Sequence, residues 1–176
     1  QIAQRPRKEQ RGSMAANQLI PRDALAKRAN SGTSPRLLGH PDRCYTGAAM
    51  TPREKHQKKL DKAVRLMREQ RFAEARPLVG ELTKGIPQHP LVWNMAGIVA
   101  SELGKPERAI PHFEKAVALA PDAADFHNNL GEALRQSERT EESVPHFETA
   151  LRLEPQHGAA HNNLGVALGE LHRGEE

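Results

Sequence analysis

Cysteine occurs once in the 176 residues, at Cys44, so an intramolecular disulfide framework is excluded and a cysteine-built zinc cluster lacks its ligands. With no paired His or second Cys nearby, that thiol reads as inert, and a reducing compartment, the cytoplasm, suits the chain. Aromatic residues make up only 3% and the hydrophobic fraction is 37%, too little for one large aromatic core. No stretch approaches about 18 consecutive apolar residues and the first thirty lack a secretory core, so neither a membrane span nor a membrane partner is expected. Glycine-rich phosphate loops, GxSxG and HExxH are all missing, so no catalytic residue, cofactor or metal is assigned, and the chain reads as non-enzymatic.

Charge is present but unevenly placed. The net charge of +4 divides into an excess of basic residues over 1–55, with 11 Lys/Arg against 4 Asp/Glu, and an acidic remainder with 15 against 18. Residues 1–50 show no sustained periodicity and are interrupted by Pro6, Pro21, Pro35 and Pro41. This basic segment is expected to be disordered, with at most a short helix over Asp23–Ala29. Its Arg and Ala content also resembles an organelle transit peptide. Met50, directly before a helix-start signal, suggests that 1–49 is an upstream extension, with Met14 as the rival start. Thr51-Pro52-Arg53-Glu54 combines a capping Thr, a Pro at the first helical position and a Glu to close a capping box, so the folded part is expected over 51–176.

Within that part the sequence repeats every 34 residues. Gly97, Gly131 and Gly165 share the interval, as do Pro87, Pro121 and Pro155, Pro77, Pro111 and Pro145, and Ala75, Ala109 and Ser143. The blocks Trp93-Asn-Met-Ala-Gly97, His127-Asn-Asn-Leu-Gly131 and His161-Asn-Asn-Leu-Gly165 align, and Ala109-Ile-Pro-His-Phe113 matches Ser143-Val-Pro-His-Phe147. Trp93, Ala96, Gly97 and Ala100 fall on one helical face, and Ala109, Phe113 and Ala116 on another, which predicts two amphipathic helices per unit. The glycines would let Ala109 or Ser143 of the second helix approach closely, with Phe113 and Phe147 filling the gap beyond. Pro121 and Pro155 would end the second helix, while Pro77, Pro111 and Pro145 would sit in its first turn, or bend it if it starts earlier.

These residues resemble the tetratricopeptide repeat family, with its Trp-x2-Leu-Gly-x2-Tyr, Ala-x3-Phe and Pro pattern. The resemblance covers 56–176 and implies an all-α solenoid of helical hairpins. Three full units lie at 56–89, 90–123 and 124–157, and a partial fourth at 158–176. Lys59 and Lys62 stand where other units are apolar, as suits a terminal unit. Leu164, Val166, Leu168 and Leu171 leave the last helix apolar, which favours a fragment of a longer array over a polar cap and offers a route to end-to-end self-association.

Nine histidines invite a metal reading, but His157 and His161 lack a third ligand, and the repeat itself accounts for most of the others. The basic run from Arg53 to Arg71 has no interleaved aromatic residue, which argues against nucleic acid as a partner. The strongest functional signal is amide-rich. Asn94, Asn128, Asn129, Asn162 and Asn163 recur on first helices, which the resemblance places along a concave groove, with Glu132, Arg135 and Gln136 one turn on. Asn129 and Asn163 are expected to form a short ladder, similar to that of O-linked N-acetylglucosamine transferases, that holds a peptide or helix of another protein. The family's Lys/Asn/Arg clamp for a C-terminal carboxylate is not matched, since Asp125, Glu132 and Arg135 stand there instead. The function expected is a protein-interaction scaffold. The alternative is the substrate-recruiting front of a larger glycosyl- or sulfotransferase, with its catalytic domain outside this chain.

Overall fold

The computed structural model describes residues 50–174. The basic segment 1–49, with its candidate helix and Cys44, lies outside the described residues. Seven helices follow one another: α1 Pro52–Arg68, α2 Phe72–Gly85, α3 Pro90–Glu102, α4 Pro106–Leu119, α5 Ala124–Gln136, α6 Thr140–Leu153 and α7 Gly158–Gly174. There is no strand among the described residues. The Thr51 hydroxyl accepts from the Glu54 N–H at 3.2 Å, and a Glu54 carboxylate oxygen accepts from the Thr51 N–H at 2.8 Å, so the capping box forms and α1 starts at Pro52.

Contacts run between consecutive helices, and α3–α5 and α5–α7 contacts join the odd-numbered helices from α3 onwards into a row. The fold is therefore a tetratricopeptide-type solenoid, in which each hairpin buries the face its neighbour leaves open. One apolar cluster extends from Leu60 and Met67 through Val92, Met95 and Phe113 to Leu130 and Leu134. A smaller one of Ala124, Ala150 and Ala160 carries the stack into α7.

The turns inside the hairpins have a period of their own. Gln70, Gly104 and Glu138, each 34 residues apart, take positive φ of 58°, 73° and 62°. In each, the following N–H reaches back five residues, Arg71 to the Leu66 carbonyl at 2.8 Å, Lys105 to Ala100 at 3.0 Å and Arg139 to Leu134 at 3.0 Å. This left-handed cap satisfies carbonyls that the helix end would orphan and turns the chain back at once. Only Gly104 adopts it without steric cost; Gln70 and Glu138 take it under the same geometric demand.

Two expectations are corrected. The second helices start at Phe72, Pro106 and Thr140, so Pro77, Pro111 and Pro145 lie in the second turn rather than the first. The helices continue through them. All three prolines are exposed, where water can serve the carbonyl four residues back that has lost its N–H partner. Nor is the glycine matched mainly by Ala109 or Ser143. A Cβ built on Gly97 would run into the Phe113 ring, and one on Gly131 would stand 2.7 Å from Phe147 Cε1. The phenylalanines, both fully buried, lie directly on the glycine backbone.

Replacing Gly131 with Ala therefore forces the Phe147 ring from its seat and should lower stability by roughly 1–3 kcal/mol. Gly165→Ala, where a Cβ meets nothing within 4 Å, should raise it by about 0.5–1 kcal/mol through helix propensity. Urea unfolding followed by circular dichroism checks both signs.

Candidate functional site: a polar row across the repeats

The row of odd-numbered helices is joined by side-chain amides. Asn129 Nδ2 donates to Asn94 Oδ1 at 3.0 Å, and one repeat further Asn163 Nδ2 donates to Asn128 Oδ1 at the same distance. Asn94, Asn128 and Asn129 are buried at 1–2% exposure, and Asn163 is half-buried. The second asparagine of each of these units pairs with the first asparagine of the unit before, so the amides expected to line a ladder are engaged with one another. The physical reason is burial. An amide enclosed between two helices must find a partner there, and the neighbouring repeat supplies one.

One turn further along, the polar side chains change from amides to ions. Arg135 lies between two carboxylates. Its Nε and Nη2 donate to Glu132 Oε2 and Oε1 at 3.0 and 2.8 Å, and its Nη1 crosses to Glu170 Oε1 of α7 at 2.7 Å. Gln136 Nε2 donates to the same Glu132 oxygen at 2.8 Å. Glu132 and, to a lesser degree, Glu170 hold the Arg135 guanidinium more firmly protonated than usual, against the opposing effect of its burial. Asn162 is exposed on α7, and Asp125 is half-buried on α5. The structure therefore brings Glu132, Arg135 and Gln136 together, and separates them from the buried amides by one helical turn.

Residues with no assigned site role turn out to organise the far side of the row. The rings at Trp93, His127 and His161 each point a nitrogen at the carbonyl of the proline six residues earlier: Trp93 Nε1 to Pro87 at 2.7 Å, His127 Nε2 to Pro121 at 3.0 Å and His161 Nε2 to Pro155 at 3.0 Å. A carbonyl accepts only from an N–H, so both histidines carry their proton on Nε2. Trp93 stacks on His112 and His127 on His146, with centroids 5.8 and 5.9 Å apart. His157 makes a related join. Its Nδ1 accepts from the Ala160 N–H at 3.1 Å at the start of α7, and its Nε2 faces Asp125 Oδ1 at 3.2 Å. The six-residue Pro-to-ring interval is visible in the sequence; the direction of the ring nitrogen is not.

Burial pushes the His112 imidazole below its usual range. His146 is depressed by burial and by the neighbouring His127, with Glu142 opposing. Lowered in the folded state, the His146 value makes the unfolded chain the stronger proton binder, so this contribution is complete above the ordinary imidazole pKa and is lost as pH falls below about 6.5.

Among the described residues no group of three or more His, Cys, Asp or Glu could hold a metal ion, and no helix is long and apolar enough to cross a membrane.

With this geometry in hand, the comparisons agree on the class. A tetratricopeptide repeat family model matches residues 94–145 and again 130–174. The O-GlcNAc transferase of Thermobaculum terrenum, in a mutant form, is 26% identical over 69% of this chain, with a TM-score of 0.64. This chain spans 23% of that protein's length. The first tetratricopeptide domain of human RPAP3 is 22% identical, with a TM-score of 0.66 over 71% of this chain and 98% of its own. The second human RPAP3 domain, determined with the HSP70 peptide SGPTIEEVD, is 19% identical, with a TM-score of 0.63 over 66% and 98%. No curated protein matches the sequence. The chain carries a tetratricopeptide repeat segment.

Two measurements test the local chemistry. In a double-mutant cycle, Asn128→Ala should cost roughly 1–3 kcal/mol and Asn163→Ala less, because water can reach it, with a coupling of about 1 kcal/mol between them. Between pH 7.5 and 5.5, the urea midpoint of the unaltered chain should drop further than that of His146→Gln. Equal drops would remove His146 from the account.

Proposed function

We propose that the segment is a non-catalytic protein-interaction scaffold that holds an extended stretch of a partner protein along the odd-numbered helices. The observation that carries this reading is the Glu132–Arg135–Glu170 network, which runs from one repeat to the next on the row of first helices. Support comes from the second human RPAP3 domain, which shares the fold and binds an acidic chaperone peptide. The groove chemistry here differs from what such a peptide needs. Arg135 is already engaged by two carboxylates, Asp125 adds a third acid, and α3 and α5 hold no other Lys or Arg to receive a C-terminal carboxylate. A segment carrying Lys or Arg, or one rich in backbone polar groups, fits better. It would meet Glu132, Glu170, Gln136 and Asn162, while Asn94, Asn128 and Asn129 keep the repeats in register behind them.

A second reading has its own observation. The similarity to the Thermobaculum terrenum transferase extends over 69% of this chain, so the segment also suits the recruiting arm of a transferase whose catalytic part is not among these residues.

On an array of short peptides, sequences with two or more Lys/Arg should be retained at least tenfold better, about 1.4 kcal/mol, than the acidic SGPTIEEVD. Glu170→Gln should weaken them and leave helicity intact. Preference for the acidic peptide, or indifference to Glu170→Gln, would sink the groove assignment.

A further inference from the structure

The basic segment 1–49 and the acidic row of first helices belong to one chain, and their charges are complementary. Residues 1–49 hold nine Lys/Arg against three Asp/Glu, and the densest cluster is Arg5, Arg7, Lys8 and Arg11, with Glu9 the one acid among them. α3 and α5 hold Glu102, Asp125 and Glu132 against Arg135 alone, and α7 brings Glu170 to the same guanidinium. Other surfaces suit the cluster less. On α1, the helix that follows the segment, Lys55, Lys58, Lys62 and Arg65 are exposed along one face and would repel it. The acids of α2 are taken, Glu74 by Arg71 and Glu81 by Lys59. On α6, Glu142 is held by Arg139, and Glu141 and Glu148 stand two turns apart. On the row, by contrast, carboxylates from two helices converge on one point, Glu132 at 2.8 Å and Glu170 at 2.7 Å from nitrogens of Arg135.

Reach does not limit the contact. Neighbouring helices pack about 8–10 Å apart, so the four steps from α1 to α5 put the row within about 40 Å of the start of α1. The chain from Arg11 to Met50 can span roughly 130 Å. Tethering supplies an effective concentration on the order of a millimolar, so a segment that dissociates at about 0.1 mM as a free peptide would be docked about ten times as often as not. The local sequence suits an extended ligand. Pro6 disfavours helix at Arg5, and in an extended strand alternate residues such as Arg5 and Arg7 stand about 6.5 Å apart on one side, a spacing that fits two carboxylates sharing a guanidinium. We infer that the segment 1–49 occupies the row of first helices in the isolated chain, with Arg5, Arg7, Lys8 and Arg11 set against Glu132 and Glu170, so that a partner's cationic stretch must displace it. This occupancy rests on the reading of the row as a groove for cationic segments and adds an internal competitor to it.

The full chain carrying Ser13→Cys and Cys44→Ser is spin-labelled at its single thiol, and the broadening of amide signals is read by NMR in the 15N-labelled protein. At low salt the amides of Glu132, Gln136 and Glu170 should be broadened most. The effect should fall at least fivefold in about 0.5 M NaCl, where the Debye length shrinks to about 4 Å, and equally in a neutralised chain with Arg5, Arg7, Lys8 and Arg11 all replaced by Gln. That neutralised chain should bind a synthetic peptide of residues Gln4–Gly12 at least fivefold more tightly than the unaltered chain does, because its groove is vacated. Broadening centred on Glu141 and Glu148, no broadening beyond α1, or equal peptide affinity of the two chains would each overturn the docking. If the neutralised chain fails to bind this peptide while other Lys/Arg peptides are retained, the groove stands and only its internal occupant is lost. If none is retained, the groove reading falls with it.

Discussion

The solenoid depends on a ring lying on a bare backbone. Phe113 covers Gly97 and Phe147 covers Gly131, and in both places a single methyl group would occupy the ring's volume. Burying each phenylalanine contributes about 1.5–3 kcal/mol, the largest apolar gain available to a sequence so poor in aromatics. The contact also fixes how closely the two helices of a hairpin lie, and hence where the next hairpin must stack. In the first unit Ala63 and Val79 occupy the glycine and phenylalanine positions, and both are buried. A smaller side chain opposite a slightly larger one keeps the summed volume, so the variation is tolerated at the edge of the array.

Proline acts here at the level of the carbonyl as much as through the missing N–H. Pro87, Pro121 and Pro155 follow the ends of the second helices and give their carbonyls to the ring nitrogens of Trp93, His127 and His161. The bond ties the linker to the first turn of the next helix, at helix starts where α3 and α5 have no side-chain N-cap. Exchange of Trp for His conserves the donor while losing indole area. That explains how two units depart from the aromatic consensus at this position and keep the same geometry.

The helical period, the hairpin count and the helix start at Thr51 were legible because each rests on local chemistry repeated at a fixed interval: glycine, phenylalanine and proline at 34 residues, and a capping pair three residues apart. The helix starts at Phe72, Pro106 and Thr140 were not, because proline was given its usual first-turn place, while the left-handed residues that set the turn, Gln70, Gly104 and Glu138, share a conformation but not an amino-acid type. The asparagines are visible in the sequence as a repeating set, but their pairing with one another is not. Side-chain pairing between stacked helices depends on their axial offset, and 35 residues rather than 34 separate Asn94 from Asn129 and Asn128 from Asn163. A one-residue offset of that kind leaves no trace in a periodic alignment.

That offset also divides the labour on the row. A buried amide pair adds only about 1 kcal/mol net, but an unpaired amide costs more, so the pairs penalise any slip of one repeat against the next more than they reward the correct stacking. Register is thus set by groups a ligand cannot easily reach, and the groups one turn on are released from that duty. Glu132, Arg135 and Glu170 neutralise one another in part while still exposing carboxylate oxygen, Glu170 at 40% of its side chain. A cationic group arriving there would compete with Arg135 for those oxygens instead of finding them idle. Binding would therefore exchange one ion pair for another, an arrangement that favours discrimination between partners over raw affinity.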